Sequence, residues 1–301
     1  MNKLIKQAFT LIELLVVIAI IGILSGLIVV AMGGVTTKAT MAKAQIFSNS
    51  LRNSLMMNIV AQYNFDDVID YNSTTKLVNS SGNIPDSWGN NKGIAYGNPM
   101  LKEGSDCISS HCLSFDGAND YVEIASSPEL HPTVEYSIAL WVRAGTPKEW
   151  SGLIGTYPYQ NGYLIYLSDT TGIPDGVAYI DGVRKDVGVG SGLITGNWYY
   201  IAFTVKQNNS MKIYLNGELK GSLPILSGTI TTNSNPVRIA GQGNGTPLWF
   251  DGSVDDVRIY NAAIPISQIK EQYYAGLNSL LANGSITNKE YSERINSIAQ
   301  Q

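Results

Sequence analysis

The chain has 301 residues, 44% hydrophobic and only 15% charged; it is long enough for about two domains and apolar enough to build a core, which excludes wholesale disorder. Thirty glycines, seventeen tyrosines and eleven prolines point to strands joined by tight turns and exclude a helical bundle for most of the chain. The formal charge of -4 is unevenly spread, because residues 1–60 carry Lys3, Lys6, Lys38, Lys43 and Arg52 against Glu13 alone; the acidic remainder has no Lys/Arg cluster with which to neutralise nucleic acid.

Residues 1–8 form a short polar leader with two lysines, and the 24 residues from Phe9 to Met32 contain Glu13 as their single charge. As a helix rising about 1.5 Å per residue, that run spans roughly 36 Å, enough to cross a hydrocarbon core of about 30 Å with some tilt. The basic leader stays in the cytoplasm and the rest of the chain lies outside. An ordinary secretory signal would be cut near Ala31–Gly34. Glu13 argues against that alternative, since a carboxylate inside an apolar run is costly in lipid unless it finds a positive partner. A cut between Ala8 and Phe9 would create one, the new α-amino group of a neighbouring copy. Gly22 and Gly26 add a GxxxG spacing that allows close helix approach.

The string Ala8-Phe9-Thr10-Leu11-Ile12-Glu13-Leu14 resembles the class III leader of type IV pilins and pseudopilins. The resemblance implies cleavage before Phe9 by a membrane prepilin peptidase, methylation of Phe9, and docking of Glu13 against other pilin-like subunits in a helical filament. It also implies a precursor held in the cytoplasmic membrane by one span, with its N-terminus inside, and a cell-surface filament after assembly. The sequence departs from the family at Ala8, where the family usually has Gly.

Beyond Gly33-Gly34, apolar residues recur at spacings of three and four from Val35 to Ile59, so residues 9–57 read as one long helix, first membrane span and then stalk. Near Asn58 the pattern moves toward alternation and a second domain begins. Val177–Ile180, Asp181-Gly182, Val183–Val187 and Met211–Leu215, Asn216-Gly217, Glu218–Leu223 predict two antiparallel hairpins. Further strands are expected over Tyr136–Arg143, Gly162–Leu167, Tyr199–Lys206, Pro236–Ala240 and Gly252–Tyr260. That many strands must close their faces against one another in two stacked sheets.

Five ordered blocks resemble the laminin-G-like, concanavalin-A-like jelly roll: Leu113–Gly117 with Asp120–Val122, Ser137–Val142, Trp198–Ala202, Ile213–Gly217 and Asp251–Tyr260. The resemblance covers residues 58–276 and implies a β-sandwich that often holds a calcium ion and often binds sugar or protein. The fold class expected is therefore mainly β, a jelly roll on a pilin-type helical stalk, with a short helical hairpin over residues 277–301. Asp116, Asp120 and Asp255 are the candidate Ca2+ ligands because the family brings its early and late strands together; the alternative is a turn at Asp116-Gly117 and an exposed or capped strand acid at Asp255. Trp150, Tyr157, Tyr159 and Trp249, with Trp88, are candidates for a sugar platform, whereas Trp141 and Trp198 sit in strand patterns and belong to the core.

A glycosidase of this shape needs two carboxylates flanking the sugar bond. No E-x-D-x-x-E string occurs, and the neighbours in Asp66-Asp67 and Asp255-Asp256 point to opposite faces of a strand. His111 and His131 lack an adjacent nucleophile, so a binding protein is expected and an enzyme is not. Cys107 and Cys112 are too few for a disulfide scaffold but should pair outside the cytoplasm. After Pro265, Ser267–Leu281 and Thr287–Gln300 read as helices joined at Asn283-Gly284, with Thr287 and Glu290 at capping-box spacing.

Overall fold

The computed structural model describes residues 58–299 apart from 159, 226 and 244–246. The leader, apolar helix and stalk expected over residues 1–57, with Ala8, Phe9 and Glu13, lie outside the described residues, as does Tyr159.

In chain order the strands are β1 (Ile59–Tyr63), β2 (Asn83–Ile84), β3 (Gly93–Tyr96), β4 (Met100–Glu103), β5 (His111–Asp116), β6 (Tyr121–Ile124), β7 (Glu135–Ala144), β8 (Ser151–Thr156), β9 (Leu164–Leu167) and β10 (Pro174–Ile180). They continue as β11 (Val183–Gly188), β12 (Trp198–Lys206), β13 (Ser210–Leu215), β14 (Glu218–Pro224), β15 (Ile230–Thr231), β16 (Val237–Ile239), β17 (Gly241–Gly243), β18 (Pro247–Trp249) and β19 (Asp251–Tyr260), followed by helices α1 (Ile266–Ala282) and α2 (Asn288–Ala299). Sheet I runs β14-β13-β12-β7-β19-β5-β4, with β1 also paired to β19; sheet II runs β11-β10-β9-β8-β16-β6-β3-β2, with β15 also paired to β10. Both expected hairpins form, with Asp181-Gly182 and Asn216-Gly217 all at positive φ, the backbone that two-residue turns require.

The inward faces interleave as one core that includes Val122, Ile124, Tyr136, Ile138, Leu140, Val142, Ile165, Ala178, Ile201, Phe203, Val237 and Val254. Sheet I also buries its outer face. Ala139 and Trp141 from β7, and Trp198, Tyr200 and Ala202 from β12, form a second core with Ile269, Tyr273, Leu277 and Leu280 of α1 and Ile298 of α2. Covering on both sides explains why β7 is buried at nearly every position and reads as a continuous apolar run. Trp141 and Trp198 are core residues as expected, but of this second core.

Helix α1 follows Pro265 and buries Ile269, Gln272, Tyr273, Gly276, Leu277 and Leu280, one stripe at three- and four-residue spacing. The indole of Trp141 stacks on Tyr273 at 5.6 Å, and a Cβ at Gly276 would run into that indole. Gln272 Oε1 accepts from the Tyr200 hydroxyl at 2.7 Å and the Tyr260 hydroxyl at 3.2 Å, which pairs these three buried groups, while Trp141 Nε1, Trp198 Nε1 and Gln268 Oε1 have no partner among the described residues. The helix ends at Asn283-Gly284, where Gly284 takes positive φ, and Glu290 N–H donates to Thr287 Oγ1 at 3.2 Å to start α2. The helical hairpin is thus present and docked on sheet I. The domain boundary drawn at residue 276 falls inside α1.

The Cys107–Cys112 disulfide is formed, with a Cα–Cα distance of 5.4 Å. Its ring is wedged between sheet and helices. Asp255 Oδ2 accepts from Ile108 N at 2.9 Å and Ser109 N at 3.1 Å on one side, and on the other Asn283 Nδ2 donates to Cys107 O at 2.8 Å. The free edge of β1 is closed by the 86–91 turn: Gln62 N donates to Asp86 Oδ1, Ser87 N to Gln62 O, and Asn91 Nδ2 to Val60 O. These bonds occupy groups that would otherwise template pairing with another chain.

Candidate functional site

The helices occupy the outer face of sheet I, so the outer face of sheet II is the sandwich surface on which a ligand can lie among the described elements. Strand alternation decides what it presents. Wherever Val122, Ile124, Ile165, Leu167, Ala178, Val237 and Ile239 point inward, Tyr121, Glu123, Tyr166, Val177, Tyr179 and Arg238 point outward.

Two ladders of stacked rings and guanidinium groups result. In the first, Tyr96 and Tyr121 are cross-strand partners stacked at 4.7 Å, and Tyr121 also stacks on Trp249 at 5.2 Å. The Arg238 guanidinium lies 4.3 Å from the Tyr121 centroid and 3.5 Å from that of Tyr157, a cation held between two ring faces. Arg238 Nε donates to Glu123 Oε2 at 2.8 Å and Nη2 approaches the same oxygen at 2.7 Å. Neither Arg238 Nη1 nor Glu123 Oε1 has a hydrogen-bond partner among the described residues. Burial pushes the Tyr121 hydroxyl pKa up, against the pull of the Arg238 charge.

The Tyr157 loop is tied down from the neighbouring segment. Tyr157 N donates to Pro236 O at 2.8 Å, Asn233 Nδ2 to Gln160 O at 2.7 Å, and Asn235 Nδ2 to Pro158 O at 3.0 Å. Tyr157–Pro158 is a cis peptide.

In the second ladder, Trp150 stacks on Tyr166 at 5.2 Å with planes 6° apart, over a small apolar base of Leu164, Val177 and Tyr179. Arg184 lies 5.4 Å from the Trp150 ring and 5.8 Å from the Tyr166 ring, and its Nη2 donates to Asp186 Oδ1 at 2.6 Å and to the Tyr166 hydroxyl at 3.2 Å. Burial, reinforced by the Asp175 and Asp186 charges, holds the Tyr166 hydroxyl protonated well above its ordinary range.

The structure therefore separates the aromatic residues expected to form one platform. Tyr157 and Trp249 belong to the first ladder and Trp150 to the second, while Trp88, 41% exposed, stands on the turn that closes the β1 edge. The ladder rings also spend most of their faces on each other. What remains for a ligand lies in the first ladder, its half-exposed end rings with Arg238 Nη1 and Glu123 Oε1, whereas Tyr166 of the second is buried and both Asp186 oxygens are hydrogen-bonded. Tyr96, Tyr121, Glu123, Arg238, Tyr166, Arg184 and Asp186 carry no sequence motif; the alternation of Tyr-Val-Glu-Ile and Val-Arg-Ile marks Tyr121, Glu123 and Arg238 alone as outward-facing.

The three candidate calcium ligands do not converge. Asp116 pairs with Asp251 across β5 and β19, so Asp255 is four residues along, about 13 Å. Asp255 is fully buried, and besides Ile108 N and Ser109 N its Oδ1 accepts from Asp256 N at 2.6 Å, so it anchors the disulfide ring. Asp116 Oδ1 accepts from Ala118 N at 2.8 Å, a turn, and Asp120 Oδ2 accepts from Asp116 N at 3.0 Å. Among the described residues no group of three or more His, Cys, Asp or Glu is placed to hold a metal. Burial, with the Asp116 charge adding to it, pushes the Asp120 carboxyl up to about 6.

Comparison with known proteins fits this geometry. Residues 116–270 match the family described as the Concanavalin A-like lectin/glucanases superfamily, just over half of the chain. The chain belongs to this superfamily. Residues 5–29 match the Prokaryotic N-terminal methylation motif, so a concanavalin A-like domain follows a pilin-type N-terminus. No curated protein matches. Among solved structures, domain 4 of AbnA, a GH43 extracellular arabinanase from Geobacillus stearothermophilus, in complex with arabinotriose, is similar at 21% identity and TM-score 0.54, covering 71% of this chain and 97% of that one. The binding domain of Paraclostridial Mosquitocidal Protein 1 is similar at 19% identity and TM-score 0.56, over 74% of this chain and 53% of that one. The ligand binding domain of botulinum neurotoxin serotype D, in complex with N-acetylneuraminic acid, matches at 12% identity and TM-score 0.57, over 75% and 52%. This chain spans about half the length of the two toxin domains. At these identities the likeness is one of fold.

Proposed function

We propose that this protein is a pilin-like subunit that displays a non-catalytic, sugar-binding concanavalin A-like domain at the cell surface, for adhesion or recognition. The observation that carries the binding half is the Arg238–Glu123 pair: a guanidinium Nη1 and a carboxylate Oε1 with no hydrogen-bond partner among the described residues, fixed between tyrosine rings on the half-exposed β6–β16 part of the outer face of sheet II. A vicinal diol offers one oxygen to accept from the arginine and one hydroxyl to donate to the carboxylate, while the ring edges pack on the C–H face of the sugar. The neighbouring charges cancel, which suits a neutral saccharide. Arabinotriose, the neutral sugar in one of the similar structures, supports the same ligand class.

The assembly half rests on the methylation motif. A prepilin peptidase would cut between Ala8 and Phe9, and the new amino terminus of one subunit would neutralise Glu13 of the next, taking the protein from a membrane-held precursor to an external filament. Two experiments test the proposal. Arg238→Ala and Glu123→Gln should abolish retention on neutral glycan arrays while the domain stays folded; unchanged retention would overturn the binding site. Glu13→Ala should abolish incorporation into filaments, and mature protein should begin with N-methylated Phe9. A variant equally active at the surface, in a protein never found in filaments, would mean a membrane-anchored sugar-binding module that does not polymerise. Turnover of labelled glycan would refute the non-catalytic reading. Retention that needs Ca2+ and is lost in EDTA would reinstate a metal near Asp116 and Asp120.

A further inference from the structure

The pattern Asn-x-Ser/Thr, in which an asparagine amide can carry a glycan when a hydroxyl follows two residues later, starts at Asn72, Asn79, Asn208 and Asn283 among the described residues. So short a pattern recurs by chance in a chain with this much asparagine, and geometry has to choose among the four. Asn283 is spent, since its Nδ2 donates to Cys107 O at 2.8 Å and its Oδ1 accepts from Ser285 Oγ at 2.6 Å. At Asn208 the required hydroxyl, Ser210 Oγ, donates to Asn209 Oδ1 at 2.9 Å. Asn79 is exposed, but Gly82 N closes a turn onto Asn79 O at 2.7 Å with Ser81 at φ 70°, and no hydrogen bond among the described residues orients its carboxamide.

Asn72 differs from all three. Asn72, Ser73 and Thr74 are exposed. Asn72 Oδ1 accepts from Thr74 N and Thr75 N, both at 2.9 Å, an Asx turn that fixes the carboxamide and leaves Nδ2 with no hydrogen-bond partner among the described residues. The loop that presents it is ordered: Asn72 N donates to Leu77 O at 2.9 Å, Lys76 N donates to Asn72 O at 2.8 Å, and the Lys76 ammonium lies 5.5 Å from the Tyr71 ring centroid. Two residues ahead of Asn72 stands an acid, Asp70, a charge by which an enzyme can register the acceptor; Leu77, Lys206 and Leu281 occupy that place before the other three.

We propose that Asn72 is the attachment site of an N-linked glycan, transferred outside the cytoplasm by a membrane oligosaccharyltransferase from a lipid-diphosphate-linked oligosaccharide. Asn72 Nδ2 attacks the anomeric carbon, the bond from that carbon to the diphosphate oxygen breaks with its electron pair leaving on the diphosphate, and Nδ2 gives up one proton to a base of the transferase. No oxidant or reductant takes part. The inference needs the head outside the cytoplasm, which the methylation motif and the disulfide support; it does not rest on the sugar site at Arg238. The position also gives the glycan a use. Residues 71–78 strap β4, the edge of sheet I: Val78 N donates to Pro99 O and Leu101 N to Lys76 O, both at 2.8 Å, and Leu77 on the strap is 36% exposed. A bulky, hydrated glycan on this strap keeps other chains away from the sheet edge.

The test uses the full mature chain purified from its own host. Intact-mass measurement should show a form heavier by a glycan, and tandem mass spectrometry should place the sugar on the peptide containing Asn72. Asn72→Gln should remove the added mass. Thr74→Ala should remove it too, although it keeps the asparagine and the backbone N–H that orients it, and Thr74→Ser should retain it. An unmodified Asn72 in the native protein overturns the proposal, as does a glycan found on Asn79, Asn208 or a serine instead. Added mass that survives Thr74→Ala shows attachment without recognition of the acceptor pattern, and likewise overturns it. Asn72→Gln should also self-associate more than the glycosylated wild type in light scattering; equal dispersion of the two overturns the shielding role. Failure of the wild type to be retained on glycan arrays would refute the sugar site at Arg238 and leave the assignment of Asn72 standing.

Discussion

Asp255 offers a direct measure of how the disulfide ring is held on the sandwich. Its buried carboxylate accepts three backbone N–H groups, from Ile108 at 2.9 Å, Ser109 at 3.1 Å and Asp256 at 2.6 Å. Replacing it with alanine orphans all three, each at about 1–3 kcal/mol when buried. Working against this, removal returns the cost of keeping a charge out of water beside Asp256; burial, and then the Asp256 charge, raise the Asp255 carboxyl pKa well above the usual range. The donors outnumber the relief, and we expect a net loss of about 2–4 kcal/mol at pH 7 for Asp255→Ala. Asp255→Asn keeps an acceptor for Ile108 and Ser109 and should lose about half as much. Urea unfolding followed by circular dichroism measures both losses. The local consequence is separate: Cys107 and Cys112 are wholly buried, so dithiothreitol should reduce the disulfide at least tenfold faster in the alanine variant, the equivalent of about 1.4 kcal/mol of easier opening. If either variant proves as stable as the wild type, desolvation outweighs anchoring and the role assigned to Asp255 is refuted.

Three further outcomes are expected. Gly276→Leu, which must displace the Trp141 indole beneath α1, should cost about 1–3 kcal/mol and shift tryptophan fluorescence to the red, whereas an undisturbed spectrum would mean the helix is not seated as described. Asp120 should make the fold less stable as pH rises from about 4 to about 6, because its carboxyl, raised to about 6 in the folded state and facing Asp116, holds its proton more tightly folded than unfolded; Asp120→Asn should flatten that slope, by up to about 3 kcal/mol, in pH-dependent denaturation. Asn233→Ala should weaken glycan binding severalfold by freeing the Tyr157 loop, and in a Tyr157→Ala background it should weaken it no further; additive losses would show that Asn233 does not act through Tyr157.

Local chemistry made a large part of this protein readable. Asp181-Gly182 and Asn216-Gly217 demand positive φ and give their hairpins from two residues each. The Asn283-Gly284 turn and Thr287 cap likewise sit within a few residues of the groups they satisfy. Two cysteines five apart had each other to pair with. The short string around Phe9 and Glu13 carries a processing signal that depends on sequence alone, and the family match agrees with it.

Long-range register decided the rest. Asp116 and Asp255 lie on neighbouring strands, as expected for a shared metal site, but the pairing of Asp116 with Asp251 moves Asp255 away and gives its oxygens to the disulfide ring. Trp141 reads as an ordinary core residue, and nothing in its neighbourhood says that its cover is a helix more than 120 residues later in the chain. The ladders depend on strand order across sheet II, which brings Tyr121, Arg238 and Tyr157 into one stack from three separate segments. Turns and motifs are written in adjacent residues because their energetics are local. A binding face is the sum of side chains that only the pairing of distant strands sets side by side.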